Sequence, residues 1–221
     1  MQILNKNIVL ALHIALGFIL VGFPFLSTYL GLFVVILATY SILGSKKYND
    51  LLPLQFSSYI VGLEILLRMC NSSLFWEFGK YAIIYFILLG ILRNNNAFRL
   101  NLPVSIYFLL LIPAIINVPM DSIGNWRQSI SFNLSGPACL AIVACYAYNI
   151  KINRDSLVNI LFFSLLPIIS MSVVILMKMP NIDSYIFLPY SNPITSGGYG
   201  PNQVSTIFGF IIAGIFIFSA S

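Results

Sequence analysis

The sequence predicts an all-α fold, a polytopic integral membrane bundle of about eight transmembrane helices, and three observations carry that prediction. Hydrophobic residues make up 59% of the 221 residues and charged residues only 8%, whereas a soluble chain is about 45–50% apolar and about 25% charged. The apolar residues fall into long runs that tile almost the whole chain, and a run of roughly 20 is what a helix needs to cross the hydrocarbon core. No segment alternates polar and apolar residues with the two-residue period of a membrane barrel strand.

Taken in order, the runs are Ile8–Gly22, Phe25–Leu43, Leu51–Cys70, Tyr81–Leu92, Leu102–Val118, Ser129–Tyr148, Ser156–Met177 and Val204–Ser219. The first follows Lys6 but lacks a small-residue cleavage site and leads straight into the second, so it reads as a retained helix and not a signal peptide. Gly22-Phe23-Pro24 separates these two runs. Together they are too long for one crossing, which favours a tight hairpin over a kinked helix. The first and fourth runs are short for a full crossing. The sixth is entered through polar residues, and the eighth follows a glycine-rich loop. Residues 1–221 read as a single membrane domain. The chain stops at Ser221 directly after an apolar run with no basic flank, so an amino-terminal portion of a longer protein is expected.

Charge orients the bundle. Lys6, Lys46 with Lys47, Arg93 with Arg99, and Lys151 with Arg154 fall in alternate loops, which the positive-inside rule makes cytoplasmic. Lys80, Arg127 and Lys178 fall in the opposite loops, each with an acid nearby in Glu77, Asp121 and Asp183. The net charge of +5 is explained by this topology, so nucleic acid is not an expected partner. Membrane lipids are.

Charges inside a span are costly and mark function or a structural ion pair. Glu64 and Arg68 stand four residues apart in the third run, on one helix face, where they can pair. In the loop from Asn71 to Tyr81, Trp76 and Tyr81 suit the headgroup level, and Lys80 can meet a lipid phosphate as a point charge. Arg127 precedes the polar stretch Ser129-Ile130-Ser131-Phe132-Asn133-Leu134-Ser135-Gly136-Pro137. Its rigid guanidinium fork suits phosphate oxygens, while Ser135 and Gly136 also suit plain helix packing. The loop Gly197-Gly198-Tyr199-Gly200-Pro201-Asn202-Gln203 feeds the last run. Its backbone amides and the helix start behind it can cradle an oxyanion, although glycine and proline also mark ordinary turns. Walker spacing and its lysine are missing, so a nucleotide loop is excluded.

Three cysteines, Cys70, Cys139 and Cys145, lie in or at the end of apolar runs and read as buried free thiols. His13 is the single histidine and reads as a packed or hydrogen-bonded imidazole. Without a second histidine or an acidic cluster, no zinc or di-metal site can be built.

Gly62–Met69, Trp76–Tyr81, Arg127 through Ser135-Gly136-Pro137 and Gly197–Ser205 together make the chain resemble the bacterial O-antigen ligase and O-antigen polymerase superfamily, particularly its Bacteroidetes-type branch. The resemblance implies a multi-pass protein of the bacterial inner membrane, a metal-independent glycosyltransferase of lipopolysaccharide or other polysaccharide biosynthesis that needs no cofactor. It implies an undecaprenyl diphosphate-linked glycan as donor and a lipid or glycan acceptor, such as lipid A-core, at the periplasmic face. Arg127, Lys80, Gly197, Gly198, Gly200, Asn202 and Gln203 are then the diphosphate-binding candidates, Glu64 and Arg68 an intramembrane pair. No catalytic residue is assigned, and Glu64 and Glu77 are the carboxylates available as a base. Many relatives carry an arginine just upstream of the proline-asparagine pair, where this chain has Thr195-Ser196-Gly197-Gly198. A polysaccharide polymerase and a lipid-linked oligosaccharide transporter are the competing readings. A non-catalytic membrane scaffold is a third.

Overall fold

The structure, a computed structural model, describes residues 6–44, 49–94, 98–113, 123–148, 150–179 and 193–219. Among them there are eight α-helices and no strand: α1 (Lys6–Gly22), α2 (Leu26–Gly44), α3 (Leu51–Met69), α4 (Phe78–Arg93), α5 (Leu102–Leu111), α6 (Ile123–Ala147), α7 (Arg154–Lys178) and α8 (Pro201–Ser219). Each apolar run of the sequence has its helix. The loop positions Lys46, Lys47, Asp121 and Asp183, and the end of the fifth run at Val118, lie outside the described residues.

Among the described residues, four helical segments are long and apolar enough to cross a membrane: α2, α3, Arg127–Ala147 of α6, and α7. This corrects the expected count of eight spans. Of the other four helices α8 has 19 residues, and α1, α4 and α5 fall short in length with 17, 16 and 10. At about 1.5 Å per residue the longest of these three reaches about 25 Å, short of the roughly 30 Å hydrocarbon core. Large apolar side chains point outward throughout: Tyr40, Leu92, Leu110 and Phe216 are each more than 70% exposed. A chain with helices of this length and apolar side chains on their outer faces is built for a lipid environment, because burial of such surface is what drives it out of water.

Helix boundaries follow local chemistry. Asn101 caps α5 by accepting a hydrogen bond from the Val104 amide, with proline in the first turn where its missing N–H costs nothing. The hairpin between α1 and α2 is closed by Leu26 N–H to Phe23 O and Ser27 N–H to Pro24 O. α6 begins at Ile123, six residues before the apolar run expected to start at Ser129, because the polar Asn125–Gln128 stretch continues the helix beyond the apolar window. Pro137 and Pro167 sit inside α6 and α7, as membrane helices tolerate when neighbouring groups satisfy the freed backbone.

The chain divides into two compact units, Met1–Val34 with Ser58–Leu74 and Arg154–Ser221, and Val35–Ser57 with Phe75–Asn153. In the first unit α7 is the central packing partner. Small residues let the helices approach: a Cβ on Gly17 of α1 would stand 2.7 Å from Val173 Cβ, and one on Gly62 of α3 would stand 2.8 Å from Pro167 Cγ. Hydroxyls then bridge helix to helix, with Ser170 Oγ donating to His13 O at 2.6 Å and Ser58 Oγ to Ile160 O at 2.8 Å. Small-residue contact and interhelical hydrogen bonding hold helices together where lipid removes the hydrophobic drive between them.

In the second unit, α4 packs on α6. Gly90 of α4 receives Pro53 and the Tyr146 hydroxyl against its open Cα. Tyr146 is fully buried and donates to Asp50 O at 2.9 Å, so the phenol satisfies a carbonyl before the first turn of α3. Arg99 N–H donates to Cys145 O at 3.2 Å, tying the entry of α5 to α6. Arg93, at the end of α4, donates to the carbonyl of Leu43, a cation placed on the orphan carbonyls of the α2 terminus.

Candidate functional site

In the first unit the glycine-rich loop builds a compact cap on the ends of α3 and α7. Pro193–Ser196 forms a 3₁₀ turn, and Gly197 and Gly198 follow with φ of 69° and 87°. Only glycine takes two successive left-handed residues without cost, so the Gly-Gly pair is what turns the chain into α8. Gly197 is pressed against α3 and α7: a Cβ there would lie 3.3 Å from Ile175 Cγ1 and 3.4 Å from Met69 Sδ.

The loop spends several amides on itself. Gly198 N–H donates to Pro193 O at 2.9 Å, and Gln203 and Val204 N–H both donate to Gly200 O. The buried Ser196 hydroxyl turns to the carbonyls of Pro193 and Tyr199. Helix α8 begins at Pro201, three residues before the run expected from Val204, and proline has no N–H to offer an anion. The loop therefore acts through its shape and through Tyr199 more than as a row of open amides.

Tyr199 is where the intramembrane charges meet the loop. Burial raises its phenol pKa above the ordinary tyrosine value, the positive charge of Arg68 pulls it back down, and the negative charge of Glu64 raises it. Glu64 and Arg68 are both half-buried on α3. Arg68 also donates to Leu74 O at 3.2 Å, which holds its guanidinium at the loop end of the helix. Lys178 at the end of α7 donates to Met69 O at 2.5 Å. Beside this cap, α7 and α8 enclose a cleft of about 470 Å³ with Ile175, Leu176, Val204 and Phe208 on its walls and Ser196 and Ser205 at its polar positions.

The remaining candidates lie in the second unit. Lys80 Nζ donates to Ser135 Oγ at 3.2 Å and stands 5.6 Å from the Phe132 ring centroid. Tyr81 OH and Ser131 Oγ share a hydrogen bond of 2.9 Å. Glu77 is buried at the start of α4 and makes no side-chain capping bond. Arg127 is exposed in the first turns of α6. Of the diphosphate candidates, then, Gly197, Gly198, Gly200, Asn202 and Gln203 belong to the first unit with Glu64 and Arg68, whereas Arg127 and Lys80 belong to the second.

His13 is held as a hydrogen-bonded imidazole, with Nδ1 2.9 Å from Val9 O and Nε2 3.1 Å from Tyr59 OH. A carbonyl can only accept, so Nδ1 carries the proton and Nε2 accepts from the phenol. The cysteines are free, with Cys70 and Cys145 buried and Cys139 half-buried. Sequence reasoning missed Tyr199 and Lys178 as members of the α3–α7 cap. Tyr199 stands inside the glycine-rich loop, and its aromatic hydroxyl between glycines is the available signal.

No family model, curated protein or solved structure matches the chain.

Proposed function

We propose that this chain is part of an O-antigen ligase-like membrane glycosyltransferase that takes a glycan from an undecaprenyl diphosphate carrier. On this reading all eight helices are membrane-embedded, those too short to span being carried by their neighbours. The basic loops face the cytoplasm of a bacterial inner membrane, and the glycine-rich loop faces outward. The observation that carries the proposal is the convergence of the glycine-rich loop on the ends of α3 and α7, where Gly197 packs against Met69 and Ile175 and the charges of Arg68 and Glu64 act on Tyr199. That convergence combines a fixed cation, a carboxylate and a phenol beside an apolar cleft.

The chemistry asks for such a set. An acceptor hydroxyl attacks the anomeric carbon, the bond from that carbon to the diphosphate oxygen breaks with inversion, and the proton of the acceptor passes to a base. Negative charge grows on the departing diphosphate, and preorganised cations stabilise it best in a low-dielectric site. Arg68 is assigned to that charge, and Glu64 is the carboxylate whose field already reaches Tyr199. The apolar cleft suits the prenyl chain.

Transfer measured with purified lipid-linked donor and the full-length protein tests the reading. Arg68→Lys keeps the charge but loses the bidentate fork, so transfer falls at least tenfold while membrane insertion is retained. Undiminished transfer by the Arg68→Leu protein removes Arg68 from the site.

A further inference from the structure

Lys80 holds its charge in an unusual setting. It is half-buried in the first turn of α4, and among the described residues its partners are the Ser135 hydroxyl and the Phe132 ring, with no carboxylate. Glu77 stands three residues earlier, at helical spacing for a pair, yet does not take it up. An ammonium at the edge of a membrane helix pair draws an anion, because the cost of leaving it uncompensated rises as water is excluded. Exposed aromatic side chains surround the same end of α4: Phe75, Trp76 and Tyr81, with Phe75 and Tyr81 ring centroids 5.7 Å apart. Such a belt marks the depth of the lipid headgroups.

The facing side of α6 supplies hydroxyls. Ser131 and Ser135 are one turn apart, so they share a face, and both meet α4, through Tyr81 and Lys80 respectively. A hydroxyl pair such as Tyr81–Ser131 uses one proton between its members and leaves the other to donate outward. The neighbouring Phe132 is 57% exposed, an apolar surface next to the charge on which an acyl or prenyl chain can lie.

We propose that α4 and α6 form a binding site for the phosphate of a membrane lipid, with Lys80 supplying the charge and Tyr81, Ser131 and Ser135 the hydroxyls. The site lies within the second unit, and its binding does not depend on glycosyl transfer. Its ligand chemistry is a lipid phosphate ester, whether from a bulk anionic phospholipid or from a polyprenyl diphosphate.

Native mass spectrometry of the full chain in a phosphate-free maltoside detergent, titrated separately with phosphatidylglycerol, undecaprenyl diphosphate and inorganic phosphate, tests it. Wild-type protein should retain one lipid per chain more tightly than Lys80→Gln by about tenfold, the scale of one lost charge-assisted hydrogen bond. Lys80→Arg should restore most of that retention, and Ser131→Ala with Ser135→Ala should weaken it with Lys80 in place. Preference for the diphosphate identifies the polyprenyl carrier as occupant, equal retention of both lipids identifies any lipid phosphate, and retention of inorganic phosphate alone overturns the lipid assignment. Lys178→Gln, which removes a cation from the other unit, is the control. The proposal is overturned if Lys80→Gln and the double serine variant, each with wild-type helix content, retain both lipids as the wild type and the control do.

Discussion

The ammonium of Lys178 donates to the carbonyl oxygen of Met69 at 2.5 Å, so the last residue of α7 closes the carboxyl end of α3. The final carbonyls of a helix lack partners within it and carry the negative end of its dipole, and a lysine from a neighbouring helix satisfies both needs. α3 stops two residues before Asn71, which takes a left-handed φ of 52° and turns the chain away, with Asn71 and Ser72 N–H donating back to the carbonyls of Arg68 and Leu67.

Replacing Lys178 by methionine keeps the stem and removes the donor. The expected cost is about 0.5–1 kcal/mol, the range for a single interhelical bond in a membrane protein. Lys178→Arg should recover most of it. Reversible unfolding in mixed micelles, followed by helix content, measures the difference.

Glycines divide sharply by what surrounds them. A Cβ on Gly62 would meet Pro167 Cγ at 2.8 Å and Ser164 O at 2.9 Å, whereas among the described residues one on Gly136 would meet nothing within 4 Å. Gly62→Ala should therefore destabilise by about 1–3 kcal/mol through overpacking. Gly136→Ala should be neutral or stabilising by up to about 1 kcal/mol, through helix propensity. Finding the two equally costly in the same unfolding assay would place α3 and α7 further apart than described.

That contrast also shows what could be read from the sequence. The runs from Ile8 to Ser219 located every helix, because the length of an apolar run is a local property. Which small residues form contacts is not local. Ser135 and Gly136 suit helix packing by sequence, but among the described residues Ser135 meets Lys80 and a Cβ on Gly136 would meet open space, while the tight approaches fall at Gly17, Gly62 and Gly90. Span number failed for a related reason: hydropathy marked α1 and α4 as apolar but did not lengthen them. At the candidate site, Glu64 and Arg68 were visible as costly charges in a span, but their link to Tyr199 runs across more than 130 positions of sequence. Only folding brings these residues together. The loop glycines were legible as a turn, but the amides they spend on that turn were not.

Tyr199 offers a direct probe of that link. Arg68→Gln removes a charge that lowers its pKa and should raise it further, whereas Glu64→Gln removes one that raises it and should lower it. Phenolate absorbance, taken as a difference against Tyr199→Phe, reads both. A folded pKa above the unfolded value of about 10 means that the neutral phenol is favoured in the folded state. Its contribution to stability is then full below about pH 10 and is lost as pH rises through the folded pKa. The Arg68→Gln protein should keep that contribution to higher pH than the wild type, and the Glu64→Gln protein to lower.

The same two residues should be coupled in stability. Glu64 and Arg68 are half-buried one helical turn apart on α3, and both fields reach Tyr199, so each charge stands in surroundings shaped by the other. Removing one strands the other away from water, a cost of about 3–5 kcal/mol when a buried pair is broken and less at partial burial. Removing both leaves no uncompensated charge. Glu64→Gln and Arg68→Leu alone should each lower folded yield and unfolding free energy by more than the double variant does, giving a coupling of at least about 1 kcal/mol in a double-mutant cycle. The Tyr199 titration supplies an independent arm. In the double variant the two opposing fields vanish together, so its phenol should titrate between the two single variants. Additive losses in stability, with the double variant the least stable of the three, would show that the two charges are held by separate partners and that the pair does not organise the loop.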